Sequence, residues 1–307
     1  MESNNTYHMP VDRVPHICTL LTKDYFIQGL ALYSSLKRHT SRFQLWVLCV
    51  DDTVYNLLEI MNLDKVHLVR LGDLWNRQLA TIKEQRQVHE FCWTLKAPFI
   101  TYLLNNNDHM NSILYMDADL YFFKNVAPIY NEWGNGSIYL TKLWLGRRWT
   151  KLAGKYSAGL IGFKRDHVGV NCLKLWQNQC LNWCYDKKEH GLWGDQKYLD
   201  DWPRLFPRVK ISGNIGINGG PWNIRKVKSV YHKNGVIFFD NMELVCYHFS
   251  GFEIINGNMF NHCKRKKLPQ KANGVYSMYI REIKKIMERI HSMDNRLLKG
   301  FIENNFA

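Results

Sequence analysis

The run Ile113-Leu114-Tyr115-Met116-Asp117-Ala118-Asp119 sets two carboxylates one small residue apart at the end of an apolar stretch. If that stretch is a buried strand, the pair stands at the carboxyl edge of a sheet, where open α/β sheets place their ligands. Carboxylates this close repel each other and invite a hard cation, Mg²⁺ or Mn²⁺, which in turn bridges phosphate oxygens. Aspartate is also common as a helix cap or in an exposed turn, so the triplet gains weight only from the elements around it. Val245-Cys246-Tyr247-His248-Phe249-Ser250-Gly251 offers a further ligand: His248 follows another apolar run, and Ser250-Gly251 makes a turn whose amides can approach phosphate. A histidine after a strand is more often a packing residue. Gly194-Asp195-Gln196 and Asn218-Gly219-Gly220-Pro221-Trp222-Asn223 gather amide, carboxylate and glycine groups of the kind that read sugar hydroxyls. Helix capping by Asp195 and ordinary turns are the plainer account of both.

These residues need a scaffold, and the hydrophobic pattern supplies one. His16 to Leu21, Leu45 to Val50 and Val66 to Leu71 read as buried strands. Between them, Tyr25 to His39 carries apolar residues at helical spacing (Phe26, Leu30, Tyr33, Leu36), and Thr53 to Met61 reads as a second helix. That alternation is the signature of an α/β domain with a mainly parallel sheet. Phe91 to Leu104 is expected as a helix despite Pro98, Ile113 to Met116 as a strand, and Ser137 to Leu140 and Ala158 to Phe163 as strands. His167 to Tyr185 reads as helix, Gly194 to Leu199 as the start of a helical turn, and Gly213 to Gly220 as a loop. Val236 to Phe239 and Leu244 to Tyr247 read as two late strands. After Asn261 the basic run Lys264-Arg265-Lys266-Lys267 leads to a last helix with Tyr276, Ile280, Ile283, Met287 and Ile290 on one face. We therefore expect a main domain over 1–261 and a basic, helical C-terminal extension over 262–307.

Length and composition bound what this scaffold can do. A chain of 307 residues can bury a substantial core, and 46% hydrophobic with 22% charged residues is ordinary for a globular protein. The net charge of +14 favours phosphate-rich partners: a diphosphate substrate, nucleic acid or an anionic membrane surface. Lys and Arg are spread along the chain apart from the Lys264 run, so nucleic acid is not expected as a partner. The eight cysteines form no C-x-x-C pair and read as reduced, buried thiols of a cytoplasmic protein. Met1 to Pro15 lacks the pattern of a signal peptide, and no uninterrupted apolar run is long enough to span a bilayer. Basic residues beside the last apolar stripe suit peripheral docking on the inner face of a membrane. Packing of the stripe on the main domain is the reading we favour.

Taken in order, these pieces resemble glycosyltransferase family 8, which includes glycogenin and bacterial lipopolysaccharide glycosyltransferases. The resemblance runs through Thr19-Leu20-Leu21-Thr22-Lys23-Asp24, Gly29, Ser34 to His39, Thr94-Leu95-Lys96 and Tyr115-Met116-Asp117-Ala118-Asp119. It continues through Ser157-Ala158-Gly159-Leu160, Gly194-Asp195-Gln196 and His248-Phe249-Ser250-Gly251. It implies a GT-A fold, an α/β nucleotide-sugar-binding architecture with a mixed, mainly parallel sheet. It implies a hexosyl residue moved from a nucleotide-diphosphate sugar, generally a uridine-diphosphate sugar, to a hydroxyl acceptor with retention of configuration. Asp117, Asp119 and His248 would hold Mn²⁺ or Mg²⁺. Leu20, Thr22, Tyr25, Lys96, Asp117, Ala118, Asn218, Gly219, Ser250 and Gly251 would bind the donor, and Asp195 and Gln196 would stand beside the anomeric carbon. The acceptor would be a glycan or glycolipid, as in polysaccharide biosynthesis.

The chain departs from that pattern in three places. Where the family carries its base-stacking tyrosine, this chain has Phe26, with Tyr25 adjacent. Phe252-Glu253-Ile254 replaces the usual lysine that helps neutralise the leaving diphosphate, leaving Arg225, Lys226 or the Lys264 run as candidates. The substrate-specifying stretch Leu143 to Lys155 is unlike that of other members. Two rival readings remain open: a sugar-phosphate nucleotidyltransferase and a basic nucleic-acid-binding protein. The first would need a glycine-rich phosphate loop after the first strand, where Leu21-Thr22-Lys23-Asp24-Tyr25 stands instead.

Overall fold

The computed structural model describes residues 14–307. Of the polar stretch Met1 to Pro15, read as carrying no signal segment, residues 1–13 lie outside the described residues. Strand β1 (His16–Leu21) leads through a short 3₁₀ turn (Lys23–Tyr25) into helix α1 (Phe26–His39). Lys37, Arg38 and His39 in the last turn of α1 complement the helix dipole. After β2 (Gln44–Cys49), Asp51 caps α2 (Asp52–Met61) by accepting from the Val54 N–H at 2.9 Å. Asn62, at φ 42°, ends that helix in the left-handed conformation asparagine tolerates.

Next come β3 (Val66–Arg70), α3 (Leu71–Leu74), α4 (Arg77–Gln85) and α5 (Val88–Asn106). Helix α5 runs through Pro98, where the missing N–H costs one bond, and it buries Leu95, Phe99, Ile100 and Leu103. Strands β4 (Ser112–Met116) and β5 (Leu120–Phe122) are joined by Asp117-Ala118-Asp119. The chain continues through α6 (Ala127–Trp133), β6 (Ile138–Lys142), α7 (Arg147–Ala153), β7 (Tyr156–Lys164) and α8 (His167–Asn182). Residues 194–196 are turn, and the helical segment after them is a 3₁₀ turn, Lys197–Asp201, followed by α9 (Trp202–Leu205). Then come β8 (Val209–Ser212), β9 (Val230–Lys233), β10 (Val236–Phe239), β11 (Met242–Glu243) and β12 (Cys246–His248). The hairpin β13 (Glu253–Ile254) and β14 (Phe260–Asn261) precedes α10 (Asn273–Ser292) and α11 (Arg296–Phe306).

Seven strands form the central sheet in the order β3-β2-β1-β4-β7-β6-β8. All neighbours are parallel except β7, which runs against both β4 and β6. This is the mixed, mainly parallel sheet expected of a GT-A domain. Alternate residues feed two cores, one on each face: Leu114 and Met116 join one, Ile113 and Tyr115 the other. Helices α1, α2, α10 and α11 cover the first face; α4, α5 and α8 cover the second.

Two expectations need correction. Leu244 to Tyr247 is not one strand. β11 pairs with β10, while β12 pairs with β5, and Leu244 and Val245 are the crossing between the two small sheets. A continuous apolar run hides such a split, because burial on either side looks the same in sequence. The last helix is in fact two, α10 and α11, separated at Met293 and recapped by Asn295. The buried side of α10 includes Tyr279 and Glu282, while Ile280 is half-buried. Tyr279 stacks on Phe249 with ring centroids 3.7 Å apart, so the stripe packs on the rest of the chain. Among the described residues no helix is long and apolar enough to cross a membrane. All eight cysteines are buried free thiols.

Candidate active site

The carboxylates stand where β4 ends. The Asp117 N–H donates to Gly159 O on β7 at 2.9 Å, and Leu120 N–H donates back to Asp117 O at 3.1 Å, so the link to β5 is a tight turn. Pairing of β5 with β12 sets Leu120 opposite His248, and Phe249 N–H donates to Asp119 O at 2.8 Å. His248 Nε2 thereby lies 2.8 Å from Asp119 Oδ1 and 3.7 Å from Asp117 Oδ2. Ligand atoms of Asp117, Asp119 and His248 all fall within 4.8 Å of one another. His248 Nδ1 is buried without a partner, and the Trp222 indole meets the imidazole edge-on at 5.0 Å.

Gly159 faces this group. A Cβ there would lie 2.4 Å from His248 Cε1 and 2.5 Å from Asp117 Oδ2, so only glycine leaves both side chains in place. Behind the group, Lys96 on α5 is buried and reaches Asp117 Oδ1 at 3.0 Å and Asp195 Oδ2 at 3.1 Å. Tyr115 donates its hydroxyl to Asp117 Oδ1 at 2.8 Å.

Burial opposes ionisation throughout, and neighbouring charges decide the outcome. For Asp117, desolvation is outweighed by Lys96, then by His248 and by hydrogen bonds from Lys96 and Tyr115, and its carboxyl is held below the usual range. For Lys96, burial is outweighed by Asp117 and Asp195, and the ammonium is stabilised. Desolvation is the larger effect at Asp195: burial, helped by the Asp117 charge, pushes its carboxyl above the usual range against the pull of Lys96. At His248 burial is overcome by Asp119 and then Asp117, which raise the imidazole. Two carboxylates and a nitrogen donor, converging around a glycine-sized gap, are a donor set that fits Mn²⁺ or Mg²⁺.

The other residues singled out in the sequence lie on the same rim. Continuing the β1–β4 register sets Leu20 level with Asp117, with Thr22 just beyond; both are buried. Tyr25, in the 3₁₀ turn, is half-exposed and close enough to Asp119, Asp117 and Arg265 to feel their charges. Ala118 is buried between the two carboxylates. Asn218, at φ 61°, donates to Thr141 Oγ1 at 2.7 Å, and its own side-chain oxygen is buried without a partner. Gly219 accepts from the His248 N–H at 2.7 Å and so fixes the strand that carries the imidazole.

Gly251, at φ 77°, turns the chain after Ser250 and accepts from Lys264 N–H at 2.9 Å. The basic run is thereby laid against the site. Gln196 is held by backbone on both sides: its Oε1 accepts from Ala158 N–H at 3.3 Å and its Nε2 donates to Ala153 O at 2.8 Å. Sequence reasoning gave no role to Tyr115, Gly159 or Trp222, although all three stand inside motifs it singled out. The signal for Gly159 was its place opposite the aspartates, and only the strand pairing reveals it.

No family model matches the chain. It is 31% identical over 294 residues to the uncharacterized protein YfnD of Bacillus subtilis (strain 168), covering 94% of each chain. It is 30% identical over 289 residues to YfnF of the same strain, covering 90% of this chain and 94% of that one. Among solved structures, the galactosyltransferase LgtC in complex with donor and acceptor sugar analogues aligns with a TM-score of 0.59 at 12% identity, over 93% of this chain and 99% of that one. The chain belongs to the family of YfnD and YfnF, and its fold is the GT-A fold of the glycosyltransferase LgtC.

Proposed function

We propose that this protein is a metal-dependent glycosyltransferase that moves a hexosyl residue from a nucleotide-diphosphate sugar, read as a uridine-diphosphate sugar, to a hydroxyl of a glycan or glycolipid, with retention. The observation that carries the reading is the convergence of Asp117, Asp119 and His248 in front of the buried Lys96–Asp195 pair. Asp117, Asp119 and His248 would hold a divalent cation, which when bound neutralises charge on the leaving diphosphate. Lys96 keeps Asp117 ionised and oriented for that task, and Tyr115 fixes the same carboxylate from the other side.

Leu20, Thr22 and Tyr25 line the end of β1 for the base, and Asn218, Gly219, Ser250 and Gly251 border the diphosphate. Asp195 stands beside the sugar. Gln196 acts through the backbone it holds at Ala153 and Ala158 and is a positioning residue. In the reaction the bond from the anomeric carbon to the diphosphate oxygen breaks and one to the acceptor oxygen forms. The hydroxyl proton leaves on the departing nucleotide diphosphate.

The cation absent after Gly251 is supplied by the basic run. Burial lowers the pKa of Lys266, and the charges of Arg225 and Arg265 lower it further. A cluster of like charges is unfavourable until an anion enters it, and the diphosphate is that anion. Thermal denaturation with a panel of nucleotide-sugars, with and without Mn²⁺, tests the reading. One donor should stabilise the protein only with Mn²⁺, and Asp119→Ala should lose that stabilisation. Equal stabilisation of Asp119→Ala would sink the metal site, and no stabilisation by any donor would sink the transferase.

A further inference from the structure

The excursion between β6 and β7 is the least explained part of this rim. β6 is parallel to β4, both being paired to the antiparallel β7, so the excursion leaves and returns on the edge that carries Asp117. Along the rim the ends of β1, β4, β7 and β6 follow one another. If β1 borders the base and β4 the diphosphate, the excursion lies beyond the sugar, on the acceptor side. It is tied at its base to the site: Leu143 N–H donates to Lys155 O at 2.9 Å, Gln196 donates to Ala153 O, and Lys226 Nζ donates to Leu145 O at 3.0 Å.

What the excursion presents is unusual for a structural loop. Lys142, Arg147, Arg148, Lys151 and Lys155 are all exposed, and residues 142–155 contain no acid. None of these five side chains makes an ion pair or side-chain hydrogen bond among the described residues. The nearby Asp200 accepts from the Lys155 backbone at 2.6 Å and is itself paired with Lys197 at 2.6 Å. Trp149 stands among the cations and is 58% exposed. Trp144 is held at φ 53°, a conformation costly for a bulky residue, with the Lys142 ammonium 5.2 Å from its ring centre. Like charges gathered without a counter-ion repel one another, and an indole left 58% exposed beside them keeps most of its surface outside the fold. Both features become favourable together with a ligand that sets a stacking face beside anionic groups, and on the acceptor side of a sugar-transfer site that ligand is a sugar chain bearing carboxylate or phosphate.

We propose that the acceptor is an anionic glycan, carrying carboxylate or phosphate groups along its chain, and that it docks on α7 through Arg147, Arg148 and Trp149. The proposal rests on the transferase reading for the term acceptor, but docking is measurable without any transfer. The test is binding of an oligogalacturonate and of a neutral maltoheptaose of similar length, by calorimetry at physiological salt. The proteins compared are wild type, Arg147→Gln/Arg148→Gln, Trp149→Ala and, on α10, Lys284→Gln/Lys285→Gln. Wild type should bind the oligogalacturonate and ignore maltoheptaose. The arginine pair should weaken binding roughly tenfold or more, as loss of charge-assisted hydrogen bonds does. Trp149→Ala should weaken it too, and the α10 pair should leave it unchanged.

Equal binding of the two sugars, an arginine pair that binds like wild type, or an equal loss in the α10 pair would overturn the proposal, the last by showing charge without a site. Vesicles of phosphatidylglycerol form a further arm. If the arginine pair abolishes vesicle binding while oligogalacturonate binding is absent, the patch serves a lipid surface and the proposal falls. Nucleotide-sugar binding is measured alongside: docking through α7 without any donor binding would overturn the transferase reading and leave this one standing.

Discussion

Around Asp117 each atom position is answered by a neighbour. One carboxylate oxygen takes Lys96 and Tyr115; the other turns toward His248 and the space Gly159 leaves free. Gly159→Ala tests how tightly that arrangement is set. The added methyl must displace His248 or Asp117, and a shift on the order of 1 Å at reacting groups costs about 100-fold in rate. We expect transferase turnover to fall by roughly that factor, while overpacking lowers unfolding free energy by about 1–3 kcal/mol, read by urea titration. Gly72→Ala is the control: nothing lies within 4 Å of a Cβ there, and neither measurement should move appreciably. A Gly159→Ala protein with wild-type turnover would mean that the gap is not used.

Lys96 reaches the site from α5, and α5 is seated by α8 on the same face of the sheet. The start of α8 is therefore part of the site's support. Asp166 caps it, accepting from Val168 and Gly169 N–H at 3.1 and 2.9 Å and from Ser137 Oγ at 2.8 Å. Burial works against its charge, but the Gly169 amide, Ser137, Arg208 and the Val168 amide outweigh it and depress its pKa. A depressed carboxyl adds stability above its unfolded value, about 3.9 for a free aspartate, and that stability is lost as pH falls through the folded value. Asp166→Ala should therefore lose about 1 kcal/mol at neutral pH, in line with other caps. The gap between mutant and wild type should close below the ordinary aspartate range, as urea unfolding across pH would reveal. A gap that stays constant into acid would show that the carboxylate is not the capping species.

The C-terminal segment bears on the whole molecule. Glu282 on α10 is buried and accepts from Ser34 at 2.5 Å and from Arg38 at 2.6 Å, and Arg38 also donates to Tyr121 on β5 at 2.6 Å. Tyr276, Tyr279 and Phe249 form one aromatic group directly behind the strand that carries His248. Removing residues 273–307 would delete Tyr276 and Tyr279, bare Phe249 and the core face they cover, and leave an apolar area that soluble chains rarely expose. The truncated protein is expected to lose its cooperative thermal transition and to aggregate, checked by circular dichroism melts and gel filtration. A truncated chain that melts cooperatively near the full-length temperature would show that α10 and α11 are dispensable for the fold.

Much of this was legible in the residues alone. Apolar runs at His16 to Leu21, Leu45 to Val50 and Ile113 to Met116 declare buried parallel strands, because a strand covered on both faces has no polar side to show. Asp117 and Asp119 at the end of one such run declare a charged rim. What no local pattern contains is partnership across the chain. His248 meets Asp119 only because β12 pairs with β5; Lys96 meets Asp195 only because α5 and the turn at 194–196 close on the same rim. The split of Leu244 to Tyr247, the break between α10 and α11 and the short polar helices α4 and α7 were likewise decided by the surfaces the rest of the fold left open. Propensity and periodicity act over a few residues, whereas pairing is a competition among distant surfaces for burial and hydrogen bonds, and its outcome exists only in three dimensions.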